Sequence, residues 1–257
     1  MITMSTISPM QPEIASCIIS NYSVEPDKYR GTAPKNLLAK GKGTIYTKNE
    51  MPHLHLTVNF NNSNGCKVFL GSNARGRVRI NFSSNDSIVW VGDNTKLNGL
   101  GISTYRENDL IAIGNETSAN SSCTIISGRG SLSPSSSVLI GDDCMFSNEV
   151  VIRNTDGHPI ISRHSLKPVN EPIKPVIIEP HVWIGERVSI TKNVSIGACS
   201  IIALGSVVTR DVPRFSVAGG SPAKIIRVDK DRIWSRANSR DAIEKALLYA
   251  KTFDKNE

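Results

Sequence analysis

The stretch from Ile178 to Val212 reads IEPHVWIGERVSITKNVSIGACSIIALGSVVTRDV, and its apolar residues recur every six positions. The leading aliphatic position is filled without a break by Ile178, Ile184, Ile190, Ile196, Ile202 and Val208. Four residues after each of these comes a small or β-branched side chain, at Val182, Val188, Val194, Ser200, Ser206 and Val212. A period of six fits neither an α-helix nor the strands of a sandwich. The pattern therefore predicts short strands joined by bends, with three units forming a triangular coil of about 18 residues that stacks on the next coil.

The same phase appears in fragments upstream of this stretch. Its aliphatic and aromatic positions are Leu70, Val91, Leu97, Ile113, Ile125, Ile140, Phe146 and Ile152. Cys123 and Cys144 fall on the small inward position, which predicts buried thiols without a redox role. We therefore expect stacked coils over residues 67–228, an N-terminal cap over 1–66 that is partly strand, and a helical tail over 229–257.

The composition is that of a folded protein with an aliphatic core. The chain has 257 residues, of which 39% are hydrophobic, 21% charged and only 5% aromatic. No apolar run is long enough to span a membrane and the N-terminus lacks a signal-peptide pattern, so we expect a cytoplasmic protein. The five cysteines form no CxxC pair, which favours reduced thiols. The net charge of +7 comes without an aromatic-basic signature or a Lys/Arg run, so nucleic acid is not an expected partner.

The run from Ile140 to Arg227 resembles the hexapeptide-repeat acyltransferases. The resemblance implies an all-β fold, a left-handed parallel β-helix, although right-handed crossovers are the general rule for parallel strands. It also implies a homotrimer with acetyl-CoA bound between neighbouring subunits. At the end of the chain, a helical face after Ser239 predicts a C-terminal helix that covers the last coil.

A loop over residues 153–176 interrupts the repeat and carries the first candidate catalytic residues. A solenoid core does not need this insertion, and long insertions in rigid scaffolds are often functional. The segment Asn154-Thr155-Asp156-Gly157-His158-Pro159-Ile160 resembles the catalytic histidine segment of the sugar O-acetyltransferase branch. A sugar hydroxyl needs a base near neutral pH to attack a thioester, and histidine is suited to that role. His158 is the predicted general base, and Asp156 is the candidate that orients its imidazole.

The segment His181-Val182-Trp183-Ile184-Gly185 matches the same branch. Trp183 follows the inward Val182 and should project outward, either as a trimer contact or as a wall and indole N–H donor beside the thioester. His181 should also face outward, as a polar contact rather than a second base.

The resemblance further implies a cofactor site. The backbone around Glu186 and Leu204 would meet the pantetheine, and Thr209, Arg210, Lys224 and Arg227 would lie near the phosphates. Relatives often carry a small residue where Glu186 stands, so its side chain should turn away or alter the acceptor pocket.

The sequence thus predicts an acetyl-CoA-dependent O-acetyltransferase acting on a sugar hydroxyl, as in a surface or capsular polysaccharide or its precursor. Three alternatives stay open: an N-acetyltransferase of an amino sugar nucleotide, a γ-type carbonic anhydrase, and a non-catalytic hexapeptide scaffold. A zinc site needs converging histidines, and His158 and His164 in the loop, with His53 and His55 outside the repeats, do not follow the spacing of that site. No metal is therefore expected.

Overall fold

A computed structural model describes residues 36–49, 51–128 and 137–254 of the chain. The predicted cap residues 1–35, Cys17 among them, and residues 255–257 of the predicted tail lie outside the described residues. Within the described part, almost all regular structure is β, with a C-terminal α-helix at Arg240–Asp254 (α1).

The strands stack in parallel as successive coils of a triangular solenoid. The first face holds β2 (Thr44–Thr47), β4 (Lys67–Leu70), β6 (Ile88–Val91), β8 (Leu110–Ile113), β11 (Val138–Ile140), β14 (Val176–Ile178) and β17 (Ser195–Ile196). The second face holds β9 (Ser118–Ala119), β12 (Met145–Phe146), β15 (Trp183–Ile184), β18 (Ile201–Ile202) and β20 (Ser216–Gly220). The third face holds β10 (Thr124–Ser127), β13 (Val151–Arg153), β16 (Ser189–Ile190) and β19 (Val207–Val208). The predicted parallel coils are confirmed.

The coils before residue 105 are wider than the predicted unit. Trp183 pairs with Ile201, which gives 18 residues per coil, whereas Thr44 pairs with Lys67 and Lys67 with Ile88, which gives 23 and 21. The extra length lies in long strands, β1 (Asn36–Lys40), β3 (Leu54–Asn59), β5 (Arg75–Phe82) and β7 (Lys96–Thr104), of which β7 pairs with strands of both the second and third faces. Stacking therefore begins before residue 67, because β2 and β3 already pair with β4 and β5.

The corners of the later coils use the left-handed backbone conformation once in every six residues. His181, Arg187, Asn193 and Cys199 have φ between 55° and 62°, and Gly205 continues the series at 67°. Side chains other than glycine reach this region at some cost, and here the two strands flanking each corner hold it. The period of six is thus a short strand followed by one such corner.

The core is the aliphatic column predicted from the period. All six leading positions from Ile178 to Val208 are at most 1% exposed, and their partners from Val182 to Val212 are also buried. Each fully buried Ile or Val side chain contributes about 1.5–3 kcal/mol of transfer free energy. Cys123 and Cys144 are buried as expected, and burial raises the pKa of the Cys144 thiol to about 12.

The C-terminal segment after residue 229 lies along one corner of the solenoid, and the end of its helix packs on the last coil, where Phe253 contacts Phe215 and Arg214. The expected Ser239 cap is confirmed, since the Ser239 hydroxyl accepts from the backbone N–H of Ala242 at 3.4 Å. Residues 229–236 run back past several coils, which brings Arg236 to Asp143. The helix α1 then returns toward the last coil, with Lys245 near Glu116 and Asp143 at its beginning and Phe253 near Arg214 at its end. Ala246 and Phe253 are buried, whereas Leu247 of the predicted apolar face is 53% exposed. We call residues 229–254 the strap. No helix in the described residues has the length and apolarity needed to cross a membrane.

Candidate active site

The three corners of the solenoid carry different sets of functional candidates. The first corner, between the first and second faces, holds Asp143, His181 and Cys199 and lies under the strap. The second corner, between the second and third faces, holds Asn148, Glu186 and Leu204. The third corner, between the third and first faces, holds Asn193 and the loop of residues 154–175.

The loop at the third corner is braced by polar side chains. Asn154 is fully buried, donates to the Ser127 hydroxyl at 3.0 Å and accepts from the Gly128 N–H at 3.0 Å, which anchors the start of the loop to the coil below. Asn170 donates to the backbone oxygen of His158 at 3.0 Å and accepts from the Ile160 N–H at 2.7 Å. The backbone of His158 is therefore fixed.

The imidazole of His158 is exposed on this fixed backbone. It makes no hydrogen bond to any residue in the described part of the chain, so both ring nitrogens can reach a bound molecule. Gly157 supports this arrangement with φ of +85°, and a Cβ there would lie 3.1 Å from the Arg153 guanidinium. A tight turn directly before the histidine thus presents its ring to solvent.

Asp156 is engaged by two other side chains. Its carboxylate accepts from Lys192 and, at 2.7 Å, from Asn170, and no hydrogen bond within the described ranges joins it to the His158 imidazole. Burial alone would raise the pKa of Asp156, but the hydrogen bonds from Lys192 and Asn170 outweigh it and hold the pKa below its usual range. In this structure Asp156 braces the loop, and its role as the orienter of His158 stays a prediction.

Trp183 lies on the second face with an unsatisfied donor. Its indole ring packs at a tilt against Trp234 of the strap, with 6.2 Å between ring centroids. Its Nε1 atom is buried and has no hydrogen-bond partner among the described residues. A buried N–H without an acceptor costs free energy, so an acceptor from a ligand or a second chain would stabilise it.

Glu186 and Leu204 lie on consecutive coils of the second corner. The Glu186 backbone oxygen accepts from the Gly205 N–H at 2.7 Å. The Glu186 carboxylate lies along the corner, 3.5 Å from the Asn148 amide nitrogen and 3.3 Å from the Arg187 guanidinium. Leu204 is 72% exposed, which leaves an apolar side chain available to a bound molecule.

The predicted phosphate-binding cations fall into two groups. Lys224 and Arg227 lie on β21 (Ala223–Val228), which pairs antiparallel with β20 and places them opposite Gly219 and Val217. Residues three apart on a regular strand point to opposite faces, but a bulge in this pairing adds one residue between Lys224 and Arg227. Both side chains therefore lie on the same outer face, next to Leu204. Thr209 and Arg210 are exposed but follow β19, at the third corner. Within one chain, the structure brings Lys224 and Arg227 together and leaves Thr209 and Arg210 apart from them.

His181 differs from the sequence expectation, because the strap buries it. Its ring is stacked on Trp234 at 4.1 Å and on Tyr249 at 5.0 Å, and the residue is 1% exposed. Nδ1 lies 2.7 Å from the Asp143 carboxylate and Nε2 lies 3.0 Å from the Trp234 backbone oxygen. The Trp234 indole N–H in turn donates to the His181 backbone oxygen at 3.0 Å. His181 is therefore a polar contact, as expected, but a buried one that docks the strap.

Asp143 completes this buried cluster. Arg236 donates to its carboxylate at 2.6 Å and Lys245 at 3.2 Å. Burial would raise the pKa of Asp143, but the hydrogen bonds from His181 and Arg236 and the nearby Lys245 charge hold it below its usual range. Sequence reasoning missed this cluster because its members lie up to 102 residues apart and follow no repeat.

Metal-ligating side chains do not converge in the described residues. No three His, Cys, Asp or Glu side chains there lie close enough together to hold an ion.

Parallel coils of 18 residues, left-handed backbone at the corners and a histidine-bearing loop define a β-helical protein of the hexapeptide-repeat class. No family model matches the chain. The chain is 35% identical over 155 residues to the polysialic acid O-acetyltransferase of Escherichia coli O1:K1, a match that spans 60% of this chain and 47% of that protein. It is 37% identical over 123 residues to the galactoside O-acetyltransferase of Escherichia coli K12, which spans 48% of this chain and 56% of the relative. The chain thus matches about half the length of these two relatives.

Two further comparisons cover more of the known protein. The chain is 30% identical over 156 residues to the polysialic acid O-acetyltransferase of Neisseria meningitidis, which spans 55% of this chain and 71% of that protein. The crystal structure of the polySia-specific acetyltransferase NeuO matches with a TM-score of 0.72 at 28% identity, over 86% of this chain and 99% of that one. The chain therefore belongs to the hexapeptide-repeat, left-handed β-helix acyltransferase family, in its sugar and capsular-polysaccharide O-acetyltransferase branch.

Proposed function

We propose that this protein is an acetyl-CoA-dependent O-acetyltransferase that modifies a hydroxyl of a capsular or other surface polysaccharide in the cytoplasm. The observation that carries the proposal is His158, whose imidazole is exposed on a backbone that Asn170 and the buried Asn154 hold in place. The polysialic acid and galactoside O-acetyltransferases among the relatives support the reaction type. Acetyl-CoA would supply the acetyl group as a thioester.

The chain's own residues provide what this reaction needs. His158 removes the proton from the acceptor hydroxyl as its oxygen bonds to the acetyl carbon, and returns the proton to the sulfur as the carbon–sulfur bond breaks. The buried indole N–H of Trp183 has no partner in the described part of the chain, which fits a donor that awaits an acceptor oxygen. Lys224 and Arg227 share one outer face and suit phosphate oxygens.

The proposed base and the proposed cofactor-binding residues lie on different corners of one chain. This separation supports a homotrimer in which each site combines residues from two chains. His158 is at the third corner, whereas Glu186 and Leu204 are at the second, with the third face between them. In a ring of three chains, the third corner of one chain can meet the second corner of the next. The loop also exposes aliphatic side chains that such a contact would cover, namely Ile160, Ile161, Leu166, Val169 and Ile173. We therefore place the acetyl-transfer site between neighbouring subunits.

The first experiment measures acetyl transfer to polysialic acid, neutral glycans and amino sugar nucleotides, with mass spectrometry of the products. In His158→Ala, loss of the base should lower kcat by about 100- to 10,000-fold while acetyl-CoA binding persists. His164→Ala is the matched control, because it removes an exposed histidine from the same loop. A correctly folded His158→Ala protein with near wild-type kcat, or N-acetylation alone, would show that the proposal is wrong.

A mixing experiment tests the shared site. Chains with His158→Ala are co-refolded with chains carrying both Lys224→Ala and Arg227→Ala, and activity is measured at limiting acetyl-CoA. If each site combines two chains, an equal mixture should recover about a quarter of the wild-type activity, because one site in four receives two intact halves. Sites built within one chain would show no recovery.

A further inference from the structure

The long strands of the N-terminal coils present an outer face that is basic and unpaired. β5 alternates outward Arg75, Arg77 and Arg79 with inward Val78 and Ile80. None of β3, β5 and β7 contains an acidic residue. Within the described residues, none of the three arginines forms an ion pair. Placing several cations side by side costs free energy unless an anion joins them.

The middle arginine of this row borders a cavity. The cavity has a volume of about 390 Å³ and is lined by His53, His55, Gly76, Arg77, Asn98, Gly99 and Ser121. Arg77 lies directly between His55 of β3 and Asn98 of β7 in the strand register. A register shift between Arg77 and Val78 marks a bulge, and Gly76 adopts φ of +112°, where a Cβ would lie 2.2 Å from the Leu97 backbone oxygen. The bend in β5 therefore forms the cavity, and hydrogen-bond donor groups line its walls.

The cavity lies on the same corner as the proposed cofactor site. Ser121, in its wall, donates to Asn148 at 3.3 Å, and the Asn148 amide lies 3.5 Å from the Glu186 carboxylate. Arg77 is four coils from Glu186 along this ridge, which is roughly 19 Å at the usual strand spacing. Lys224 and Arg227 stand at the opposite end of the ridge, beyond Leu204. The second corner thus has one basic cluster at each end and Glu186 between them.

We propose that the cavity and the arginine row bind carboxylate groups of an anionic polysaccharide acceptor, and so hold the polymer along the second corner while one of its sugars is acetylated. This inference rests on the proposed function. A guanidinium binds a carboxylate with two parallel hydrogen bonds, and Asn98 and Ser121 offer amide and hydroxyl groups to sugar oxygens. The lining contains no Phe, Tyr or Trp side chain on which a nucleic acid base could stack. An acceptor that reaches both Arg77 and Glu186 must be several sugars long.

The binding test uses the full-length assembled protein without acetyl-CoA and a fluorescent oligomer of sialic acid about ten sugars long. Wild-type protein should bind it, and binding should weaken as salt rises from about 50 to about 300 mM. Arg77→Gln should weaken binding about tenfold, since it removes a charge-assisted contact. Arg240→Gln, which removes a guanidinium from the exposed face of α1, should change binding by less than about twofold. Arg79→Gln serves as the second variant if Arg77→Gln does not assemble.

The outcomes separate this inference from the proposed function. In the transfer assay, Arg77→Gln should raise KM for the polymer about tenfold and leave KM for acetyl-CoA within about twofold. If wild-type protein acetylates the polymer and both arginine variants bind it as wild type does, the inference is wrong and the proposed function stands. If wild-type protein binds the oligomer but transfers no acetyl group to any acceptor, the proposed function fails and the binding site stands. Equal binding of dextran, or displacement of the oligomer by an equal charge concentration of single-stranded DNA, would overturn the assignment to an anionic glycan.

Discussion

Trp234 offers the most direct perturbation of the strap. It is 7% exposed, its ring stacks on His181 at 4.1 Å, and its indole N–H donates to the His181 backbone oxygen at 3.0 Å. Trp234→Ala removes all of these contacts at once. It also removes the ring against which Trp183 packs. We expect this single change to detach the strap from the first corner.

The size of the effect follows from these contacts. Replacing a buried Trp with Ala typically costs about 3–5 kcal/mol. Of this, the stacking on His181 accounts for about 0.5–1.5 kcal/mol and the unsatisfied His181 oxygen for about 1–3 kcal/mol. A 15-residue helix is marginal in isolation, so α1 should unfold once its docking is lost. If the strap opens as a local unit, 3–5 kcal/mol corresponds to a roughly 150- to 5,000-fold increase in amide exchange.

Hydrogen exchange read by mass spectrometry is the suitable assay. Peptides from α1 should lose protection in Trp234→Ala, whereas peptides from the central coils, such as β14 and β16, should keep it. Trp234→Phe is the matched control, because it keeps an aromatic ring on His181 but removes the N–H donor and part of the ring area. In this control, the free energy that holds the strap against the first corner should fall by about 1–3 kcal/mol. Wild-type exchange of α1 in Trp234→Ala would refute the view that this residue docks the strap.

Two further predictions concern charge. Asp143 has a pKa below its ordinary value of 3.8 in the folded protein, so its contribution to stability is present above about pH 4 and is lost as the pH falls through the folded-state pKa. The difference in unfolding free energy between wild type and Asp143→Asn, from urea titrations at several pH values, should therefore shrink below about pH 4, and a difference that grows there would contradict this sign. Lys224→Ala and Arg227→Ala should each raise KM for acetyl-CoA, by about 1–3 kcal/mol in binding free energy, and steady-state kinetics that show a raised KM for the acceptor instead would assign them to a glycan site.

The period of six was sufficient to predict the coils but not their widths. Ile178 to Val208 repeat strictly because each coil there is three short strands and three tight corners, and the structure confirms every inward position. The earlier coils keep an alternating pattern along β5 and β7, where bends at Gly76 and Gly99 replace tight corners. Long strands alternate with period two, so the six-residue signal disappears although the stacking continues. This is why the sequence places the start of the coils at residue 67 and the structure stacks β2 and β3 before it.

Contacts between distant segments were beyond the reach of local patterns. His181 looks like an outward corner residue because its neighbours, Val182 and Ile184, face inward. Its burial depends on Trp234, 53 residues later, and on Asp143, 38 residues earlier. Sequence proximity predicts Asp156 as the orienter of His158, but it gives no sign of Lys192, which the fold brings to the same carboxylate from 36 residues away. A sequence repeat predicts which residues stack in successive coils. Contacts between distant segments that do not follow the repeat can be found only in the folded structure.

The position of the strap limits how copies of this chain can assemble. A three-fold ring needs two different patches on each chain, because each subunit contacts one neighbour with one patch and the other neighbour with the second. The strap covers the first corner with its own chain, through Trp234 on His181 and Arg236 on Asp143. No described segment covers the second and third corners in the same way, and they carry Glu186 with Leu204 and His158 with its exposed aliphatic loop. In the trimer that we propose, these two corners would be the two patches, and pairing them would also bring the proposed base to the proposed cofactor site. An arrangement that instead joined like corners would leave every His158 separated from Leu204 by a full face of the solenoid, and such an arrangement would contradict the proposed shared site.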